Sequence, residues 1–360
     1  MNPGTLVIRA DATIAMGTGH VTRCLALAQA WLDSGGVVIF AAARLTPAIV
    51  DRLKSEGMEI ADLHLASGNA QDAHELAALA RERRATWVVV DGYRFDSAYQ
   101  RRIKDAGLRL LFIDDTGQCG LYCADIVLNQ NAYATEEMYF ERFPSTKLLL
   151  GPNYALLRRE FTRWREWRRG FAPVAQRLLI TMGGSDPENC TARIIRAAQA
   201  IDLNGFEITV AIGGSNPHVD SLYALASRLP RNIRMQVDVG NMAELMACAD
   251  LAISAAGSTC YELALLQVPM LLLALADNQV PTARALANAG AALDAGCCVT
   301  FDDRRFTSLL RNVIMDRKLR RSLAQRARRL VDGLGAHRVC EFLHHAVPTE
   351  ESPKLQVGIC

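Results

Sequence analysis

Twice along the chain, short uninterrupted apolar runs alternate with longer amphipathic stretches. The first series is TLVIRAD (5–11), GVVIFAA (36–42), WVVVDGY (87–93), RLLFIDD (109–115) and ADIVLNQ (124–130). The pattern restarts at RLLITMGG (177–184) and continues through ITVAIGG (208–214), IRMQVDV (233–239), ADLAISAAG (249–257) and PMLLLAL (269–275). Runs of Val, Ile and Leu without polar alternation mark strands buried on both faces, which are parallel strands covered by helices. A helix from about Val21 to Ser34 carries Cys24, Leu25, Ala28 and Leu32 on one stripe. The fold class predicted is α/β: two Rossmann-like, doubly wound domains facing a cleft. KLLLGPNYALLRREF (147–161) closes the first half, and the Arg/Trp-rich segment to about Phe171 reads as a hinge. The division expected is 1–170, 171–346 and a disordered polar tail, 347–360.

Several function classes are disfavoured at once. The formal net charge is +2, so no global field argues for nucleic acid. Basic residues cluster locally instead, at RREFTRWREWRR (158–169) and RKLRRSLAQRARR (317–329); the second has helical spacing and reads most simply as a solvated helix face. No apolar run approaches the roughly 20 residues of a membrane span, and no secretory leader is evident. A cytoplasmic protein without stable membrane association is expected. The ten cysteines complete no four-ligand zinc pattern and are read as buried free thiols. There is no DxD motif to bridge a diphosphate through a metal, so no metal and no cofactor are expected.

In doubly wound sheets ligands bind beyond the carboxyl ends of the strands. Four such ends carry small or polar residues. MGTGH (16–20) places Gly17 and Gly19 before His20 at a helix start. A dinucleotide fingerprint would need a third small residue where Thr22 stands, and an acid after FAAAR, so the nicotinamide reading loses. MGGSDPENCT (182–191) runs a strand into Gly183, Gly184 and Ser185, with Asp186 or Ser185 as cap and Pro187 just inside a helix. SAAGSTCYELALL (254–266) opens a helix on Gly257, Ser258 and Thr259, with Glu262 one turn in, placed either to close a capping box or to hold ribose hydroxyls. LALADNQ (273–279) ends on Asp277, Asn278 and Gln279, a set suited to sugar hydroxyls. Together these ends suit one ligand: a nucleotide sugar, its diphosphate on the helix N-termini of the second half and its reacting carbon toward His20.

RADATIAMGTGHVTRCLALA (9–28), VVVDGY (88–93), GPNYALLRREF (151–161), TMGGSDPENCT (181–191), SAAGSTCYELALLQVP (254–269) and ADNQ (276–279) together resemble the UDP-2,4-diacetamido-2,4,6-trideoxy-β-L-altropyranose hydrolases of pseudaminic acid biosynthesis. That family is related to the GT-B glycosyltransferases. The resemblance implies a GT-B-like fold, with UDP on the second domain and the sugar facing the first. It implies that His20 is the catalytic base, that Glu262 binds ribose and that Asn278 faces the sugar. Tyr93, after VVVDG, is a further sugar-side candidate, with Gly17, Gly19 and Gln279 beside it. Arg158 suits either a phosphate or a brace at the hinge. Asp91 is open between orienting His20 and capping. Asp114 and Asp115 are read as caps.

The reaction implied is attack of water on the anomeric carbon with inversion. UDP leaves as a stabilised anion, so one base suffices where glycosidases use two carboxyl groups. The free value of histidine near 6.5 suits that base, and the positive end of a helix disfavours imidazolium. His64, His74, His218, His337, His344 and His345 lack partner spacing and are read as structural or solvated. Two other functions remain open: a GT-B transferase acting on an acceptor hydroxyl, and a non-catalytic nucleotide-sugar-binding protein of polysaccharide synthesis.

Overall fold

The apolar runs form two wholly parallel sheets in the computed structural model, which describes residues 3–13, 17–63, 67–201, 205–229 and 233–345. Met16, His64 and the tail 347–360, on which sequence expectations fell, lie outside those residues. The first sheet holds β1 (Thr5–Arg9), β2 (Val37–Ala42), β3 (Glu59–Asp62), β4 (Ala85–Asp91), β5 (Leu110–Ile113), β6 (Ile126–Asn129) and β7 (Lys147–Leu150). Their order is β3-β2-β1-β4-β5-β6-β7. The second holds β8 (Arg177–Thr181), β9 (Glu207–Ile212), β10 (Ile233–Val237), β11 (Leu251–Ala255), β12 (Met270–Ala274) and β13 (Leu293–Cys297), in the order β10-β9-β8-β11-β12-β13. Order reverses beside β1 and beside β8, so each sheet has its switch point at the end of its first strand.

All ten predicted strands are present. Three more were not read as strands. β3 (EIAD) and β13 (LDAGC) are edge strands without a continuous apolar run, and β7 (KLLL) stood in the segment taken as the close of the first half. Edge strands need burial on only part of their surface, so their sequences lose the signature of central ones.

Helix Gly19–Asp33 packs on the first sheet through Cys24, Leu27, Ala28 and fully buried Trp31, whose indole N–H donates to the Gly4 carbonyl at 3.1 Å. The last helix, Gly335–His345, leaves the second sheet and packs on this same core. Ala336, Val339, Cys340 and Leu343 join the cluster around β1 and β2, and the Trp87 indole donates to the Leu343 carbonyl at 2.9 Å. The chain thus crosses between its halves twice, at 151–173 and at 331–335.

Arginines fasten the first crossing. The Arg159 guanidinium pairs with Asp33 at 2.7 Å and Glu56 at 3.0 Å in the first half. Arg169 donates to the carbonyls of Met246, Ala249 and Leu266 in the second. Arg320 corrects the reading of 317–329 as wholly solvated. It is buried, donating to the Val313 and Ile314 carbonyls at the end of one helix and to Ala172 in the linker.

Another correction concerns the thiols. Cys190, opening helix Cys190–Gln199, is paired in a disulfide with Cys298 just past β13, with Cα atoms 6.1 Å apart. Seven other cysteines of the described residues are free. No helix among the described residues is long and apolar enough to cross a membrane.

Candidate active site

Gly17 has φ +75°, a conformation that a side chain resists, and this turn delivers the chain from β1 into helix Gly19–Asp33. The helix therefore begins two residues earlier than expected, and His20 occupies its first turn. His20 is nearly buried, with its ring edge-on to Tyr93 at 4.7 Å between centroids. Its Nδ1 lies 2.8 Å from Asp91 Oδ1 at the end of β4. Asp91 is fully buried, and burial alone would raise its carboxyl. The Arg23 charge and His20 overcome that and hold it well below the ordinary carboxylate range. An ionised carboxylate at 2.8 Å requires a proton on Nδ1. In the neutral form of the ring, that leaves Nε2 as the acceptor.

Arg23 stands one turn further along the same helix. Its Nε and Nη2 donate to the two oxygens of Asp91 at 2.7 and 2.6 Å, and its Nη1 donates to both oxygens of Asp115 at 2.7 and 2.8 Å. One planar guanidinium thus spans two carboxylates, a geometry that lysine cannot reproduce. Sequence reasoning missed Arg23, although its place three residues after His20 puts both on one helix face.

The reading of Asp114 and Asp115 as a pair of caps is half right. Asp114 accepts from the Thr116 and Gly117 amides at 3.0 and 2.9 Å and from the Tyr122 hydroxyl at 2.6 Å. Asp115 instead faces the cleft and accepts from Arg23, from Asn131 Nδ2 at 2.7 Å and from the Tyr93 hydroxyl at 3.3 Å. Burial, and then the Asp115 charge, push the Tyr93 phenol up to about 12.

The halves enclose a cleft of about 1090 Å³. Of the fourteen residues picked from the sequence, thirteen line it, and Asp91 lies directly behind His20. Gly17, Gly19, His20, Tyr93 and Arg158 come from the first half; Gly184, Ser185, Gly257, Ser258, Thr259, Glu262, Asn278 and Gln279 come from the second. Asn278 Nδ2 donates across the cleft to the Tyr93 hydroxyl at 2.9 Å. Gln279 Oε1 is turned inward and accepts from the Leu275 amide at 3.0 Å.

The two glycine turns of the second half differ. Helix Thr259–Leu265 starts at Ser258 with no side-chain cap, so its first amides face the cleft unshielded. Glu262 forms no capping box. It pairs with Arg158 Nη2 at 3.1 Å, while Arg158 Nη1 holds Glu160 at 2.9 Å. Burial pushes the Glu262 carboxyl up, against the pull of Arg158. The other turn begins its helix only at Cys190, not at Pro187, and the Asp186 carboxylate already takes the Cys190 and Thr191 amides at 2.8 and 2.9 Å. Gly184 and Ser185 therefore offer the cleft their own backbone rather than a free helix terminus.

A third glycine turn, Gly213-Gly214-Ser215 after β9, also lines the cleft and was missed. A Cβ at Gly213 would stand 2.4 Å from the Gly184 carbonyl, so the two turns pack backbone to backbone. The signal was present: MGGSDP (182–187) and IGGSNP (212–217) repeat one motif at two adjacent strand ends.

Two parallel doubly wound sheets with the site at their facing switch points define a protein of the GT-B class. Residues 178–329 match the glycosyltransferase family 28 C-terminal domain. The chain is 29% identical over 287 residues to the UDP-2,4-diacetamido-2,4,6-trideoxy-beta-L-altropyranose hydrolase of Campylobacter jejuni, covering 79% of this chain and 97% of that one. The resemblance read from the motifs is thereby borne out. The chain is also 25% identical over 274 residues to an uncharacterised protein of Methanocaldococcus jannaschii; the match covers 74% of this chain and spans about half, 55%, of that relative's length. Among solved structures, MurG of Acinetobacter baumannii superposes with a TM-score of 0.65 at 20% identity, over 94% of this chain and 99% of that one, a likeness of fold.

Proposed function

We propose that this protein is a UDP-sugar hydrolase in which His20 is the general base and water the nucleophile, acting on a UDP-2,4-diacetamido-2,4,6-trideoxy sugar of nonulosonate synthesis in the cytoplasm. The observation that carries the reading is the Asp91–His20 pair. It fixes the tautomer with Nε2 as acceptor, at the wall of a cleft whose opposite side bears glycine turns and an uncapped helix start. Similarity to the Campylobacter hydrolase over nearly that protein's whole length supports the substrate class.

The chemistry follows from the residues. Water beside Nε2 attacks the anomeric carbon from the face opposite the diphosphate, and its proton passes to Nε2. The bond from the anomeric carbon to the phosphate oxygen breaks, with its electron pair leaving on UDP, so the anomeric centre inverts. The imidazolium formed rests against the ionised Asp91 carboxylate, which stabilises it without taking the proton. Charge growing on the diphosphate meets the amides at Ser258 and Thr259 and the backbone of Gly184 and Ser185. Glu262 takes the ribose hydroxyls, and Tyr93 and Asn278 border the sugar.

The test is incubation with a panel of UDP-activated diacetamido sugars, followed by anomeric proton NMR. UDP release in water alone, with an inverted first-formed hemiacetal, is the expected result, and His20→Asn abolishes it while UDP still binds. Release that requires an acceptor hydroxyl would make the protein a transferase. UDP binding without turnover of any sugar would make it a binding protein.

A further inference from the structure

Behind the cleft, the hydrogen bonds form a continuous chain between the halves, and every step donates toward one residue. Tyr261 lies on helix Thr259–Leu265, next to Glu262, and its ring is fully buried. Its hydroxyl accepts from the Ala132 amide of the first half at 3.0 Å and donates to Asn131 Oδ1 at 3.3 Å. Asn131 Nδ2 donates to Asp115 Oδ1 at 2.7 Å. A second route starts at Asn278, runs to the Tyr93 hydroxyl at 2.9 Å and on to Asp115 Oδ2 at 3.3 Å. Both routes from the second half end on Asp115, one at each oxygen. From there Arg23 carries the constraint to Asp91, and Asp91 to His20.

This arrangement has a physical consequence. Arg23 is a single rigid fork, so its position is set by both carboxylates together. If the second half moves away, Asp115 keeps Arg23, Asn131 and Tyr93, all of the first half, but Asn131 loses the Tyr261 hydroxyl and Tyr93 loses the Asn278 amide, the bonds that hold those two side chains from the far side. The constraint on Asp91, and through it on the His20 ring, then loosens. The donors of both routes converge on Asp115, and Arg23 donates to Asp115 and Asp91 alike, so the two carboxylates are coupled through one guanidinium.

We propose that Arg23, Asp115 and Asn131 are positioning residues that tie the orientation of the His20 ring to the docking of the nucleotide-bearing helix through Tyr261. The base is then held ready only when the halves are closed on a nucleotide. The proposal rests on the hydrolase reading for its catalytic consequence, but its structural core is independent of turnover.

The experiment uses the full chain labelled with 15N-histidine. UDP is titrated in, and the His20 imidazole nitrogens are followed by two-bond proton–nitrogen correlation, with UDP affinity measured by calorimetry on the same samples. In the wild type, saturation with UDP sharpens and shifts the Nδ1 resonance toward a single protonated-Nδ1 species. In Tyr261→Phe, which keeps the buried ring and removes only the hydroxyl, UDP binds within about twofold of wild type but the Nδ1 response is lost. Arg23→Lys gives the same loss and serves as the second variant; both keep a wild-type circular dichroism spectrum. With sugar nucleotide, each lowers kcat by about tenfold or more and leaves KM within about twofold, the scale of a lost orienting partner. Wild-type His20 signals unmoved by bound UDP, or a response preserved in Tyr261→Phe, would overturn the relay while leaving the hydrolase reading intact. Absence of UDP binding would overturn the hydrolase reading, and the nucleotide dependence of the relay with it.

Discussion

Asp91 and Arg23 meet through two parallel hydrogen bonds, 2.7 Å to one carboxylate oxygen and 2.6 Å to the other, and His20 shares the second of those oxygens. The guanidinium keeps that carboxylate ionised, and its Nη2 lies 3.3 Å from the imidazole Nδ1. The histidine is therefore placed by a three-residue unit rather than by its own turn alone.

Replacing Asp91 with asparagine tests that unit. The amide can present an N–H to Nδ1, which favours the opposite tautomer and turns Nε2 from acceptor into donor. Turnover is expected to fall by about 10⁴ as for other misoriented bases, with UDP affinity unchanged by calorimetry. Arg23 also loses a buried charge partner, so a lower Tm accompanies the loss.

Glu262→Gln separates stability from binding. The folded-state carboxyl titrates above its unfolded value because of burial. In the window between those two values the folded state binds more protons, so stability falls as pH rises through it, and the ionised acid is a burden at neutral pH. The glutamine variant is expected to match or exceed the wild-type Tm at pH 7 and to bind UDP more weakly. A lower Tm with unchanged UDP affinity would assign Glu262 to the brace with Arg158 instead.

Tyr93 is expected to act as a neutral hydroxyl. Its phenol is pushed up to about 12, so it contributes no alkaline limb to the rate profile between pH 6 and about 10. Tyr93→Phe lowers kcat through loss of the bonds to Asn278 and Asp115 but leaves the shape of the kcat–pH curve unchanged over that range.

Acid lability is expected where the last helix is tied down. Asp332 pairs with Arg338, with one contact at 2.8 Å, and the carboxyl is held down to about 2, chiefly by that arginine. A depressed carboxylate stabilises the fold above its unfolded value near 3.9 and loses that contribution as pH falls toward its folded value. Urea midpoints measured from pH 5 down to pH 2.5 are expected to fall less steeply for Asp332→Asn than for the wild type.

The sequence revealed the central strands because burial on both faces leaves a compositional trace. It brought His20, Glu262 and Asn278 to the cleft because each follows a strand end through a recognisable turn. Edge strands β3 and β13 carry no such trace. Asp115 was misread because an acid after a strand caps a turn in one case and faces a cleft in the next, and Asp114 and Asp115 do one each. Asn131 and Tyr261 were invisible for a different reason: their contact joins residues 130 positions apart, and neither has a local signal that demands the other.

The return of helix Gly335–His345 to the first core makes the second sheet an insertion in its neighbour rather than a successor to it. Both passages of the chain lie on one side of the pair, like two leaves of a single hinge plate. A protease cut in the arginine-rich linker would not release either body, because the second strap still holds them. Arg165 in the first strap donates to the Asp332 carbonyl in the second at 3.1 Å, so opening the cleft about that edge is the movement that leaves the straps' own bond unbroken.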